Sequence, residues 1–279
     1  MQVKPLSGAL GAEITDIDVK TLDEAGFAAL RDVFLDRGVI VIRDQELTPE
    51  DHIAFAERWG EINVNRFFKP VDTHPQIATV LKEPDQRLNI GGAWHTDHSY
   101  DAAPAMGSIL YARETPPAGG DTLFCSMNAA YEGLSEGMKT MLRGLSAHHS
   151  SRHAFGATQK GEEAHKDGRL GNEARATQDA LHPVVIAHPE TGRPALYANA
   201  DFTTHFQGWT AEESRPLLDQ IEAIATTPEY TCRVAWAPGT LTMWDNRAVM
   251  HKAINDYHGH RRLMHRITIE GAPLAAYQV

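Results

Sequence analysis

An all-β core with flanking helices (α+β), folded as a double-sheet jelly roll, is the class this sequence predicts. Three observations predict it. Short β-branched and aromatic runs recur between turns, the helical stretches are few and clearly capped, and candidate metal ligands lie far apart in the chain. Strands that neighbour each other across such a fold bring distant ligands together, and a small ligand can sit in the mouth between the sheets.

With 279 residues the chain is long enough for one sizeable core. No internal boundary, repeat or low-complexity tract divides it, so a single domain over 1–279 is expected. Residues 3–17 alternate in pieces broken by Gly8 and Gly11, as an edge strand with turns would. Thr21 with Glu24 reads as a capping box, and Phe27, Leu30, Val33 and Phe34 follow at helical spacing until Gly38. Val39-Ile40-Val41-Ile42 is a buried strand. Thr48-Pro49 opens a second helix that runs to Trp59. Residues 61–76 have no period and read as a loop beside a site. Strands are expected over 77–81, 106–111 and 121–125, with two short helices near 127–133 and 135–144. The polar stretch 156–179 is long for a structureless loop and reads as a mobile lid or as disorder. A hairpin over 184–198, a capped helix from Thr210 and strands near 231–236, 240–244, 249–253 and 263–269 complete the chain.

Charge and cysteine usage exclude several classes. A net charge of -11 argues against a nucleic-acid partner, which asks for a basic surface. Cys125 and Cys232, the only cysteines, form no C-x-x-C and fit a reducing compartment. Met1-Gln2-Val3-Lys4-Pro5-Leu6 has no apolar targeting region, and no run approaches the roughly 18 apolar residues a bilayer demands. A cytoplasmic protein without a membrane partner is expected, working as a homo-oligomer, dimer or tetramer.

The chemistry centres on Trp94-His95-Thr96-Asp97-His98. In an extended segment His95 and Asp97 share one side. Among 15 histidines a His-x-Asp triplet also arises by chance. Its weight comes from His251, which follows Trp244-Asp245-Asn246-Arg247 and precedes the basic run Arg261 to Arg266. Two imidazoles and a carboxylate on one face suit non-haem Fe(II) with open positions. His148-His149 and His258-x-His260 are weaker candidates, since adjacent histidines point apart on a strand and the second pair lies in a turn.

Leu6 to Asp18, Gly38 to Gln45, Trp94 to Tyr100, Gly119-Gly120-Asp121-Thr122, His182 to Val185, Trp244 to Arg247 and Arg261 to Ile269 together resemble the taurine/2,4-D dioxygenase (TauD/TfdA) family. The resemblance covers nearly the whole chain. It implies a double-stranded β-helix core, Fe(II) and 2-oxoglutarate as cofactors, and iron held by His95, Asp97 and His251. It implies that Thr122 and Arg262 take the distal carboxylate of 2-oxoglutarate, which suits a planar guanidinium fork and a hydroxyl donor. Trp236 is expected to line the cofactor pocket. Arg266 stands where taurine-type members pair an arginine with the substrate's sulfonate, and Phe202 matches a position that packs on substrate.

The departures from the taurine pattern concern the substrate. Asn65 replaces a histidine, Phe68 an aromatic hydroxyl and Gly91 an asparagine, while His98 and Tyr100 bring polar groups beside the iron. Taurine is therefore disfavoured. The expected substrate is a larger or more apolar small organic anion: a carboxylate, aryloxyalkanoate, sulfonate or sulfate ester. With O2 it would be hydroxylated, and cleaved where the hydroxylated carbon carries a heteroatom, releasing succinate and CO2 in an EC 1.14.11-like reaction. Two rivals are a zinc hydrolase, for which no H-E-x-x-H motif is present, and a non-catalytic metal-binding sensor of a small anion, which has no need of an open metal face.

Overall fold

The computed structural model describes residues 1–156 and 164–278. Its largest sheet places, in spatial order, the strands Gln2–Pro5, Ala12–Thr15, Val39–Ile42, Leu241–Asp245, Gly107–Glu114, Arg262–Ile269, His74–Lys82 and Pro70–Val71, with Ile62–Asn63 paired to 262–269. Facing its inner side is a sheet of Thr231–Val234, Thr122–Ser126 and Val249–Ala253. This is the expected jelly-roll layering, with helices on the outside.

The central strands explain why apolar runs here do not alternate with polar residues. Ile40, Ile42, Leu241, Met243, Ile267 and Ile269 point outward into a core shared with Phe34 of the first helix and Trp59, just past the end of the second at Glu57. Val39, Val41, Trp244 and Met264 point inward and pack with Phe124 of the facing sheet. A strand covered on both faces has to be hydrophobic on both. In 262–269 the inward positions 262, 264 and 266 are buried while 263 and 265 are only half-buried, so Arg262 and Arg266 share the inter-sheet face, as their even spacing predicts.

Helix Glu24–Arg37 is capped by Asp23, whose carboxylate accepts from Gly26 N, and not by Thr21. Thr21 lies two residues too early, in the turn set by Asp18. The helix ends on Gly38 in the left-handed region, φ 69°. Thr48 and Asp51 cap Pro49–Glu57 reciprocally, and Thr210 and Glu213 cap Ala211–Ala225 in the same way. Each such cap stabilises by about 1 kcal/mol.

One sheet escaped the sequence reading: Asp179–Pro183, Ser146–Ser150 and Thr203–Phe206. These strands are rich in histidine, serine and threonine, so they lack an apolar period. They are held instead by polar rings, buried His149 against His182 and Tyr197, and half-buried His148 stacked on half-buried His205 at 4.5 Å. Of the expected lid over 156–179, residues 157–163 lie outside the described residues. Of the rest, Leu170 bridges to Phe68, and Glu173–Arg175 form a short 3-10 turn. Among the described residues no helix is long and apolar enough to cross a membrane.

His52, in the second helix, is 1% exposed and neither ring nitrogen has a hydrogen-bond partner. Burial, with His265 and Arg113 nearby, depresses its pKa to about 3. A depressed folded-state pKa means the neutral ring stabilises the fold above the unfolded value near 6.5, and that contribution is lost as pH falls from there towards 3. Replacing His52 by Leu is expected to flatten the acid limb of stability by about 1 kcal/mol per pH unit between pH 6 and 4, read from urea midpoints. An unchanged slope would show that His52 is not buried as a neutral ring.

Candidate metal centre and acid-binding pocket

His95 and His251 are joined by a two-way backbone bridge, His95 N donating to His251 O at 3.1 Å and His251 N to His95 O at 2.8 Å. On its other side the strand Val249–Ala253 pairs with Thr122–Ser126, setting His251 opposite Phe124. His251 is thus fixed within a sheet, and the bridge carries His95 to it. The Thr96 hydroxyl donates to Val249 O at 3.2 Å, which turns residue 96 away from the ligands.

Ligand atoms of His95, Asp97 and His251 all lie within 4.8 Å of one another. His95 Nε2 stands 3.7 Å from Asp97 Oδ1, and His251 Nε2 stands 3.9 Å from Asp97 Oδ2. His95 Nδ1 lies 2.8 Å from Ala93 O. A carbonyl only accepts, so Nδ1 carries the proton and Nε2 presents its lone pair to the site. Burial opposes ionisation of Asp97, but Arg266, His251, His95 and His98 outweigh it and hold the carboxyl well below the usual range. Burial, with His95 alongside, depresses His251 to about 3, which keeps its ring neutral and able to ligate. Ser108 donates to Asp97 Oδ2 at 2.7 Å. A deprotonated carboxylate and two imidazoles on one wall of a cavity fit a divalent first-row ion.

That cavity, of about 240 Å³, is also lined by Phe68, Tyr100, Phe155, Phe202, Trp244, Thr122, Arg262, Arg266 and His98. Two guanidiniums reach it from one strand. Arg262 donates through Nε to Gly120 O at 3.1 Å and leaves Nη2 buried without a partner. Trp236 Nε1 donates to the Thr122 hydroxyl at 3.0 Å, so that oxygen's own proton is free to be donated onward. Trp236 itself stands behind Thr122, its ring 5.6 Å from Arg262 Cζ. The Arg266 guanidinium lies 4.4 Å over the Phe68 ring, with Nη1 3.4 Å from Asp97 Oδ1 and Nε buried and unpartnered. Tyr100 is buried, which raises its phenol far above the ordinary value and keeps it a donor. Asn65, expected against the substrate, instead bonds His98 at 3.4 Å.

Sequence reasoning missed Ser108, and also Phe155, which forms a wall with Phe67 (4.3 Å, stacked), Phe202 and Tyr100. Neither carries a motif; an isolated serine in a strand and a phenylalanine in a four-residue helix give no signal.

A family model described as "Taurine catabolism dioxygenase TauD, TfdA family" matches residues 2–268. The chain is 33% identical over 275 residues to an alkylsulfatase of Acinetobacter baylyi, covering 97% of this chain and 85% of that protein. It is 31% identical over 292 residues to an (S)-phenoxypropionate/alpha-ketoglutarate-dioxygenase of Delftia acidovorans, covering 98% of each. Among solved structures, a taurine dioxygenase from Burkholderia xenovorans superposes with a TM-score of 0.83 at 33% identity, covering 99% of this chain and 92% of that one.

The hydroxyl beneath Asp97 has a measurable consequence. Ser108→Ala is expected to weaken Fe(II) or Mn(II) binding about tenfold, the usual loss when a carboxylate ligand's supporting donor is removed, read by calorimetric titration. Unaltered affinity would mean Ser108 does not orient Asp97.

Proposed function

The chain belongs to the taurine catabolism dioxygenase TauD, TfdA family, and from that premise we propose how its pocket divides the work. It is an iron(II)- and 2-oxoglutarate-dependent dioxygenase acting on a small anionic organic substrate, which sets aside the zinc hydrolase and the anion sensor. The observation that carries the assignment of residues is the convergence of His95, Asp97 and His251 beside a buried arginine with an unpartnered nitrogen.

His95, Asp97 and His251 hold the iron. Bound iron and keto acid supply the oxidising chemistry, consuming O2 and releasing succinate and CO2. Arg262 and Thr122 bind the distal carboxylate: the free Nη2 answers a buried unmet donor, and Trp236 orients the hydroxyl by occupying one of its lone pairs. Arg266 takes the substrate's acid group, its plane held on Phe68. The walls of Phe68, Tyr100, Phe155 and Phe202 exclude water and receive an apolar tail. Among the described residues Arg266 is the cation left for the substrate's end of the cavity and no acid stands free beside it for an ammonium group, so a monoanion with an alkyl or aryl body fits better than a zwitterion such as taurine. The organic sulfate and aryloxyalkanoate named for the two relatives are of this kind. Hydroxylation of a carbon bonded to such an ether or ester oxygen would collapse and cleave that bond. Residues 1–279 form the one catalytic domain, a cytoplasmic homo-oligomer.

Anaerobic titration with Fe(II) and 2-oxoglutarate should develop the weak visible charge-transfer band, and succinate release should follow addition of an alkyl sulfate, sulfonate or aryloxyalkanoate. Absence of both overturns the assignment. Arg266→Ala is expected to raise substrate KM at least tenfold, the equivalent of a lost charged hydrogen bond of roughly 1.5–3 kcal/mol, with keto-acid affinity within about twofold. Arg262→Ala should give the reverse, and two variants that lose both affinities alike would refute the division of roles.

A further inference from the structure

We propose that His98 is a positioning residue that fixes the substrate arginine, acting through Asn65 and Phe68 and not by touching substrate. The inference rests on the reading of Arg266 as the group that binds the substrate's acid.

His98 is 2% exposed and has φ 59°, the left-handed region that a side chain with a Cβ adopts at a cost of roughly 1–2 kcal/mol. Both ring nitrogens are committed inside the protein. Asn65 Oδ1 accepts from the backbone N–H groups of Phe67 at 2.9 Å and Phe68 at 3.0 Å. The end of that amide facing His98 Nε2 at 3.4 Å is therefore Nδ2, a donor, and Nε2 must accept. The ring proton then sits on Nδ1 and is donated to Asp101 Oδ2 at 3.0 Å. Asp101 is anchored in turn by Arg66 at 2.5 Å, and its carbonyl accepts from His182 Nε2 at 3.0 Å.

With both nitrogens occupied, His98 has no polar atom to offer a substrate. What it does hold is the loop that carries Phe68. The amide of Asn65 pins the backbone of residues 67 and 68, and the Phe68 ring is the plate on which Arg266 lies at 4.4 Å. The same residue that follows the metal-binding carboxylate thus sets the height and tilt of the guanidinium that must meet the substrate. The far side of that loop is tied by the Leu170 bridge to Phe68, so letting go of the His98 to Asn65 contact removes the anchor on the metal side and lets the plate, and Arg266 with it, shift.

The test uses full-length protein and two probe anions, phenoxyacetate and hexyl sulfate. For the probe with the higher turnover, His98→Ala and Asn65→Ala are each expected to raise KM at least tenfold, with kcat within about threefold and the 2-oxoglutarate dissociation constant within about twofold. Binding of that probe to metal-free protein, measured by calorimetry, should weaken in parallel. The double variant should be no worse than the poorer single one, because both cut the same link. His98→Asn keeps a residue that tolerates the left-handed backbone but is too short to span both partners, and should resemble His98→Ala. Restoration of wild-type KM by Asn would assign the effect to backbone conformation and overturn the proposal. So would a hundredfold rise in the double variant, or a fall in kcat at unchanged KM. A wild-type protein that shows neither the charge-transfer band nor succinate with any organic anion would instead remove the dioxygenase reading on which the proposal stands.

Discussion

Two backbone hydrogen bonds between His95 and His251 are the contact on which the site depends. Strand 249–253 is held by the facing sheet on one side and by this bridge on the other. The two imidazoles are consequently set against each other, ring centroids 4.1 Å apart, before any ion arrives. A ligand set carried by backbone pairing loses little further freedom on binding, which is how a strand fold preorganises a metal centre.

The second constraint is charge. Taking a guanidinium out of water costs several kcal/mol unless something negative meets it, yet Arg262 and Arg266 are 5% and 8% exposed. The acids near the Arg262 end are engaged elsewhere: Asp121 and Asp256 with Arg233, Glu83 and Glu114 with Arg261. Arg266 leans on Asp97 at 3.4 Å, the carboxylate that a metal would also claim. Among the described residues the inner face of strand 262–269 therefore holds more positive charge than neighbouring acids neutralise, a condition that favours small acids as ligands. The chain as a whole is acidic, so this local excess is a property of the site and not of the surface.

Much of this was legible in the chain. The continuous apolar run 39–42 meant burial on both faces, the caps at Thr48 and Thr210 marked true helix starts, and the even spacing of 262 and 266 put both arginines on one side. Legibility failed where neighbours in space replace neighbours in sequence. Asp23 caps the first helix because its carboxylate reaches Gly26, whatever box Thr21 and Glu24 spell. The polar strands 146–150, 179–183 and 203–206 are stabilised by ring packing and hydrogen bonds that leave no periodic trace. Phe155 belongs to the pocket only because Phe67, Tyr100 and Phe202 converge on it.

The residue types and their order were enough to single out the candidate donor set, the strands around it and the class of acid proposed for it, because a ligand's chemistry and a strand's period are written locally. Which nitrogen of His95 faces the candidate metal centre, what supports Asp97, and that Asn65 and His98 bond each other were decided by the tertiary structure. Those answers depend on hydrogen bonds between residues far apart in the chain, and a hydrogen bond has a direction that no spacing encodes.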